Sequence, residues 1–374
     1  MLEKRSPEML WRVQSELGIS STPGKVASQV KPTGRFHFLE AARGLASLWV
    51  LLFHSLGAFP TDGLPGTLRL VRVASQWGWL GVHVFFVISG WCIAERVAKG
   101  HARGEPGIHF AIERVLRIYP TYWVALVVAI VIRIVALPFN TNQLAGVVPN
   151  GFSGWFTSFL ILEPYFGRDS YLMVSWSLVY ELGFYLCAAI ALQVTRRRIG
   201  SAPFVFLAGS LLCFAPWVAH VVSPPWRVLE LWPEFFAGVA AWWAARRESR
   251  ASGYSLLALM LAASAFWPNY GGAGRISAVA TAFILAFVWK WDVGLAKLKL
   301  MGPMVWAGGM SYSLYLIHVP LISPFENLLG RWVPSTSNWF ILVWVVGIAV
   351  AIAGAKILNR LVELPVEHWR RRAI

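Results

Sequence analysis

Charged side chains are scarce in this chain of 374 residues, because only 14% of its residues are Asp, Glu, Lys or Arg. Hydrophobic residues make up 57%, and the mean hydropathy is +0.57. Soluble domains carry about 25% charged residues, so this composition excludes an ordinary soluble protein. It predicts a protein embedded in a membrane.

Cysteine is also scarce. Cys92, Cys187 and Cys213 all lie in apolar stretches, and none has the CxxC or Cys/His spacing of a metal site. We expect packing residues and predict neither a disulfide nor a bound metal. The chain also lacks a Walker loop and a glycine-rich dinucleotide motif behind a strand, which argues against the common nucleotide-binding folds.

Long apolar runs dominate instead. Most are long enough for a helix to cross a hydrocarbon core of about 30 Å. They lie near residues 38–59, 78–97, 115–137, 173–194, 203–221, 228–245, 253–268, 275–291, 303–322 and 338–360. We therefore predict an all-α, polytopic membrane bundle of about ten transmembrane helices. Residues 152–166 are too short and contain Gly154 and Pro164, which favours a re-entrant or interfacial segment.

Basic residues are distributed unevenly between the two sides of this bundle. If the N-terminus is cytoplasmic, 24 Lys and Arg residues lie on that side and six on the other. Short loops rich in Lys and Arg stay in the cytoplasm, so we predict that both termini are cytoplasmic. The formal net charge of +15 then reflects topology and anionic lipid, and we expect no nucleic-acid partner.

The two ends of the chain are more polar than its middle. Residues 1–34 are charged, interrupted by three prolines and without an apolar segment of signal-peptide length. We predict a partly disordered cytoplasmic tail over 1–34, a membrane domain over 35–367 and a basic cytoplasmic C-terminus over 368–374.

Three ionisable residues, Glu40, Arg43 and His54, lie within the first apolar run. At about 100° per residue, Arg43 and His54 fall within about 20° of one helical face, roughly 16 Å apart along the axis, with Glu40 about 40° away. An ionisable group in lipid costs about 2.5 to 3.5 kcal/mol, so this alignment indicates a polar cavity. Alternatively, Arg43 reaches the headgroups and pairs with Glu40, and His54 only bonds a neighbouring helix.

Arg114 and Arg117 lie three residues apart at the predicted cytoplasmic start of the third span. Two guanidinium groups at this spacing can form a two-pronged surface for phosphates. Anchoring of the helix end by the positive-inside rule explains the pair equally well.

Two later spans carry polar stripes. Ser177, Glu181 and Tyr185 recur at four-residue steps and share a helical face. A carboxylate within a membrane needs a partner, for which His54 or an arginine is suited. The second stripe consists of Ser311, Tyr315 and His318.

His318 is either catalytic or an interhelical hydrogen-bonding residue. In the second span, Ser89 offers a hydroxyl. His83 lies six residues before Ser89, so the two side chains point in different directions and cannot share one narrow site.

Six segments, taken in order over about residues 35–367, resemble the acyltransferase 3 family of membrane-bound O-acyltransferases, which modify sugars of bacterial surface and secreted glycans. The matching residues are Glu40, Arg43, Gly44 and His54; Phe85 to Trp91; Arg114 to Pro120; Trp176 to Tyr185; Tyr312 to Pro320; and Glu363 to Pro365. Each segment alone is a weak signal, but six in sequence are specific. The chain departs from the family pattern at Glu40, usually Asp, and at Ala42, usually Leu.

The resemblance implies a multi-pass enzyme of the bacterial inner membrane. Its donor would be cytosolic acyl-CoA, most simply acetyl-CoA, used as a co-substrate without a metal. Its acceptor would be a hydroxyl of a surface or exported glycan or of a lipid-linked saccharide.

In the mechanism that we expect from this resemblance, three arginines hold the donor phosphates: Arg43, Arg114 and Arg117. His54, oriented by Glu181 or another carboxylate, is the general base for the acceptor hydroxyl. A covalent acyl-enzyme on His54 or Ser89 is an alternative to direct attack. Further site candidates are Glu40, Tyr185, Tyr315 and His318.

Intramembrane Glu, Arg and His also occur in transporters and in flippases of lipid-linked sugars. We find no inverted repeat between the halves of the chain, which weakens that interpretation. A non-catalytic scaffold would leave the aligned Glu40, Arg43 and His54 unexplained.

Overall fold

In a computed structural model of the chain, the described residues are 36–57, 59, 64–136, 148–195, 231–246, 249–265, 272–334 and 338–373. They contain fourteen α-helices: α1 (His37–Gly57), α2 (Gly66–Ser75), α3 (Leu80–Ala102), α4 (Gly107–Ala136), α5 (Gly151–Leu160), α6 (Trp176–Thr195), α7 (Trp232–Ala245), α8 (Arg250–Ala265), α9 (Gly272–Val288), α10 (Asp292–Leu295), α11 (Met301–Gly308), α12 (Ser311–Trp332), α13 (Asn338–Leu358) and α14 (Leu364–Ala373). A π-helix, Asn359–Glu363, links α13 to α14. These ranges contain no strand, so the all-α prediction is confirmed for them.

The long helices confirm a polytopic membrane protein. Within the described ranges, five helical runs are long and apolar enough to cross a membrane: Leu80–Ala102, Gly107–Ala136, Met173–Thr195, Gly272–Leu295 and Trp339–Arg372. A sixth is possible if α11 and α12, bent by 76°, form one broken span. The total of ten spans stays a prediction. The tail over 1–34 and the apolar run near 203–221 lie outside the described residues.

The ten-residue helix α5 overlaps the stretch 152–166 for which the sequence favours a re-entrant or interfacial segment. Its last carbonyl groups accept hydrogen bonds from the middle of α4: Tyr122 Oη to Ser158 O at 2.6 Å, Trp123 Nε1 to Phe159 O at 3.0 Å and Tyr119 Oη to Leu160 O at 3.0 Å. The chain then turns back at Ile161, which is fully buried and has a φ of 58°. A helix that stops beside the middle of a spanning helix does not itself cross the membrane.

Helix α1, which carries Arg43 and His54, packs closely on α11. The contact depends on glycine from both sides, because a Cβ at Gly44 would overlap the Met304 carbonyl oxygen and a Cβ at Gly308 would overlap that of Glu40. Small residues allow such close backbone approach between membrane helices. Gly44 therefore fixes the position of its neighbour Arg43.

We expect Gly44→Ala to destabilise the protein by about 1–3 kcal/mol, because the added methyl group has no space and α1 must move away from α11. Thermal unfolding in detergent measures this loss. Gly57→Ala on the same helix is the matched control, since a Cβ there meets no atom within 4 Å. Equal stability of the two variants would contradict the role of this crossing.

Candidate active site

A cavity between five helices brings together polar residues that are distant in sequence. Its empty space, counted together with the part open to solvent, is about 540 Å³. The polar side chains in its wall include Arg43 of α1, Ser89 of α3, Arg117 of α4, Ser177 and Glu181 of α6, and Tyr315 of α12. A concave site with a few converging polar groups is the default candidate for an active site.

Arg43 and Arg117 give this cavity its positive charge. Within the described part of the chain, neither guanidinium makes a hydrogen bond or ion pair, and the Nε of Arg43 is buried. Arg43 therefore does not pair with Glu40, which lies outside the cavity wall. Two unpaired guanidinium groups in one cavity form a site for an anion.

Glu181 forms the centre of a hydrogen-bonded group on the cavity wall. Its Oε1 accepts a hydrogen bond from Ser89 Oγ at 3.0 Å and a short one from Tyr185 Oη, one helical turn further along α6. The predicted stripe on α6 is thus observed, and the residue of another helix that bonds Glu181 is Ser89 of α3. The sequence left His54 or an arginine as that partner, whereas among the described residues Glu181 bonds Ser89 and Tyr185 and makes no hydrogen bond to His54.

Arg114 and Arg117 do not form the two-pronged surface that their spacing predicted. Arg114 is only 8% exposed, and its guanidinium lies over the rings of Phe110 and Tyr185, 5.0 and 5.4 Å from their centroids. It also lies 3.7 Å from Glu113 Oε1. Packing thus holds Arg114 within the helix bundle, and Arg117 shares the cavity with Arg43 instead.

His54 lies in a layer beside the cavity, together with His318. The two ring centroids are 5.2 Å apart, and His318 packs in turn against Tyr315 of the cavity wall at 6.1 Å. His318 is 1% exposed and donates from Nδ1 to the Leu314 carbonyl at 3.0 Å. That bond leaves its Nε2 as an acceptor, for which the described residues supply no partner.

A cluster of ion pairs joins three helices one turn away from Arg117. Arg96 of α3 binds Glu113 of α4 at 2.8 Å and Glu105 at 2.7 Å, and Glu113 also accepts from Arg370 of α14 at 2.9 Å. Burial alone would raise the pKa of Glu105, but the hydrogen bond and the charge of Arg96 hold that pKa below its usual value. This cluster fixes the end of α4 that carries Arg117.

Tyr312 is part of the cavity wall but was not singled out from the sequence. Its Oη donates to the Ile118 carbonyl at 2.9 Å. It follows Ser311 directly and precedes Tyr315 by three residues, so a helical wheel drawn from α12 places all three near one face. The stripe predicted from the sequence follows spacings of four and three, Ser311 to Tyr315 to His318, and so skips Tyr312.

A buried pair, His83 and Glu234, was also missed. His83 Nδ1 lies 2.6 Å from Glu234 Oε1, and Glu234 is 2% exposed. The pair lies outside the cavity wall, which agrees with the different directions predicted for His83 and Ser89. The available signal was the carboxylate of Glu234 within the apolar run near 228–245, which also contains Glu230.

Comparison with known proteins places these features in a family. The acyltransferase 3 family model, described as an acyltransferase domain, matches residues 36–360. The chain is 25% identical over 319 residues to a protein of Komagataeibacter xylinus named as the membrane-bound transacylase BcsY, covering 80% of this chain and 76% of that protein. It is 23% identical over 328 residues to nodulation protein 10 of Rhizobium leguminosarum bv. viciae, covering 78% and 82%.

No solved structure shows significant similarity to the chain. The family match covers most of the helical part of the chain, including every motif on which the resemblance was based except the terminal Glu363 to Pro365. A transporter, flippase or scaffold, which the polar spans also allowed, is therefore set aside. The chain belongs to the acyltransferase 3 family and is a membrane acyltransferase.

Proposed function

We propose that this acyltransferase moves an acyl group, most simply acetyl, from cytosolic acyl-CoA to a hydroxyl of a glycan or lipid-linked saccharide. One observation supports this most directly. The cavity contains two guanidinium groups that make no hydrogen bond or ion pair with the described residues, together with a hydrogen-bonded serine and carboxylate. That combination suits an anionic donor whose reactive end is a polar carbonyl.

The donor side of this proposal rests on Arg43 and Arg117. Arg117 lies one turn beyond the ion pairs of Glu113, at the end of α4 that the basic loops assign to the cytoplasm. Both guanidiniums attract the negative charge of the donor, and the thioester end enters the cavity. Arg114 stabilises the same helix end through its aromatic contacts instead of binding the donor itself.

The acceptor side of the proposal rests on His54. Its imidazole takes the proton of the acceptor hydroxyl while that oxygen attacks the acyl carbonyl carbon. His318 packs against His54 and Tyr315 packs against His318, so the histidine layer adjoins the cavity. Since acyl-CoA is cytosolic, we place the enzyme in the inner membrane of a bacterium, and both relatives come from bacteria.

Membranes that contain the protein, incubated with acetyl-CoA labelled in the acetyl group, test this function. We expect label in the glycan or lipid fraction and release of free CoA thiol. Membranes without the protein are the control, and mass spectrometry of surface glycans identifies the acceptor. Release of no more thiol than in the control membranes, with no labelled product, would contradict the proposal.

The orientation is tested by labelling single cysteines in a variant without the three native ones. Cysteine at Gly66 or Gly272, where a side chain meets no atom within 4 Å, should react with an impermeant maleimide from outside the cell. Cysteine at Arg103 should react only after the membrane is opened, because basic loops lie in the cytoplasm. The opposite pattern would reverse the orientation and the donor side.

A further inference from the structure

We infer that Ser89 is the nucleophile that first accepts the acyl group, so that transfer proceeds through an acyl-serine. This inference rests on the proposed function, because it names the residue that receives the group from acyl-CoA. It depends on the group formed by Ser89, Glu181 and Tyr185 at the cavity wall. Each of these residues has a distinct chemical task.

The geometry of an activated nucleophile is present. Ser89 Oγ donates to Glu181 Oε1 at 3.0 Å, within the distance over which a base accepts a proton from a nucleophile. Tyr185 donates to the same oxygen and holds the carboxylate in place. A nucleophile, a base and a third group that orients the base are the parts of a catalytic triad.

The other cavity hydroxyls lack this arrangement. Ser177 Oγ and Tyr315 Oη lie 2.8 Å apart, and both lie within hydrogen-bond distance of the Val174 carbonyl oxygen, at 3.2 and 3.0 Å. Tyr312 Oη donates to the Ile118 carbonyl at 2.9 Å, and among the described residues none of the hydroxyls of Ser177, Ser311, Tyr312 and Tyr315 bonds a carboxylate. Ser89 is therefore the cavity hydroxyl that is paired with a base.

The cavity also supplies positive charge for the reaction. When Ser89 Oγ attacks the thioester carbonyl carbon, negative charge develops on the carbonyl oxygen. Arg43 lines the same cavity, and its buried Nε has no hydrogen-bond partner within the described part of the chain. Donors already in place for a developing oxyanion lower the barrier of acyl transfer.

Acyl transfer then takes place in two half-reactions. In the first, the Oγ–C bond forms, the C–S bond breaks, and the serine proton passes to Glu181 and then to the leaving sulfur, which departs as CoA thiol. In the second, the acceptor oxygen attacks the ester carbonyl carbon of acyl-Ser89 while His54 takes its proton. The Oγ–C bond then breaks, and the proton held by His54 passes to Ser89 Oγ.

The test is a rapid acid quench of purified protein mixed with labelled acetyl-CoA in the absence of acceptor. We expect a burst of thiol release close to one per protein chain, and acetyl ester at Ser89 by peptide mass spectrometry. Ser89→Ala should lose both label and burst. Ser89→Cys, which keeps the side-chain size, should carry a thioester at position 89 that neutral hydroxylamine cleaves.

Two further variants test the site of the label and the role of Glu181 as the base. Cys92→Ala removes the other nucleophile on the same turn of α3 and should label as the parent does. Glu181→Gln should slow the burst by about 10²- to 10⁴-fold without moving the site of label, as expected for loss of a base.

Label on His54 or Cys92, or transfer to acceptor without any label on Ser89, would overturn the inference and leave the proposed function intact. Failure of the parent protein to release thiol from acetyl-CoA, with or without acceptor, would overturn the proposed function itself.

Discussion

His54→Ala should reduce transfer of the acetyl group to the acceptor by about 10²- to 10⁴-fold, the usual contribution of a general base. The replacement is apolar and adds no charge to the helix bundle, so we expect normal insertion and folding. Because His54 lies beside the cavity and not in its wall, acetyl-CoA should bind to the variant as it does to the parent. Transfer rates at matched protein level, together with equilibrium binding of acetyl-CoA, measure both effects.

His109→Ala is the matched control, because His109 is an exposed histidine in the first turn of α4, outside the cavity. It should transfer at the parent rate. If His54→Ala also did so, the general base would have to be another group. The roles of the His54 and His318 layer would then be limited to packing.

Arg117→Gln should raise the Michaelis constant for acetyl-CoA by about one to two decades, with a smaller fall in turnover. The loss of a hydrogen bond to a charged group costs about 1.5–3 kcal/mol. Contacts to donor phosphates contribute similarly to the ground and transition states, so binding suffers more than chemistry. Initial rates over a range of acetyl-CoA concentrations separate the two constants.

Arg114→Gln provides the contrast for this prediction. Arg114 lies over two aromatic rings and beside Glu113, so its loss should lower thermal stability and leave the donor constant nearly unchanged. If both variants changed the donor constant equally, the structural distinction between the two arginines would be wrong. If neither did, both would be anchors under the positive-inside rule.

The sequence predicted which polar residues share a helical face, because the angle per residue is fixed within one helix. Glu181 and Tyr185 are bonded along α6 as that rule requires. The rule does not say which helix lies opposite. The partner of Glu181 proved to be Ser89 rather than His54, since this choice depends on how α3, α6 and α1 pack.

Arg114 and Arg117, near the start of α4, also show that the sequence does not reveal what each helical face contacts. Their spacing of three residues separates them by about 60° around the helix, which is enough for one to face aromatic rings and the other a cavity. The separation of Arg43 and His54 along α1 was predictable, at roughly 16 Å. Arg43 lies in the cavity wall, whereas His54 lies in the adjoining layer against His318 of α12. That difference depends on the position of α12, and the bend between α11 and α12 was not predicted from the sequence.

The bonds that α4 makes to the end of α5 bear on how the chain is assembled in the membrane. A ten-residue helix is too short to be recognised as a membrane span, and its final carbonyl groups cannot remain unpaired in lipid. Three side chains of α4 satisfy those carbonyls. During synthesis α5 should therefore leave the insertion machinery as part of the loop after α4. It should enter the bilayer only once α4 is in place, together with the residues that follow α5.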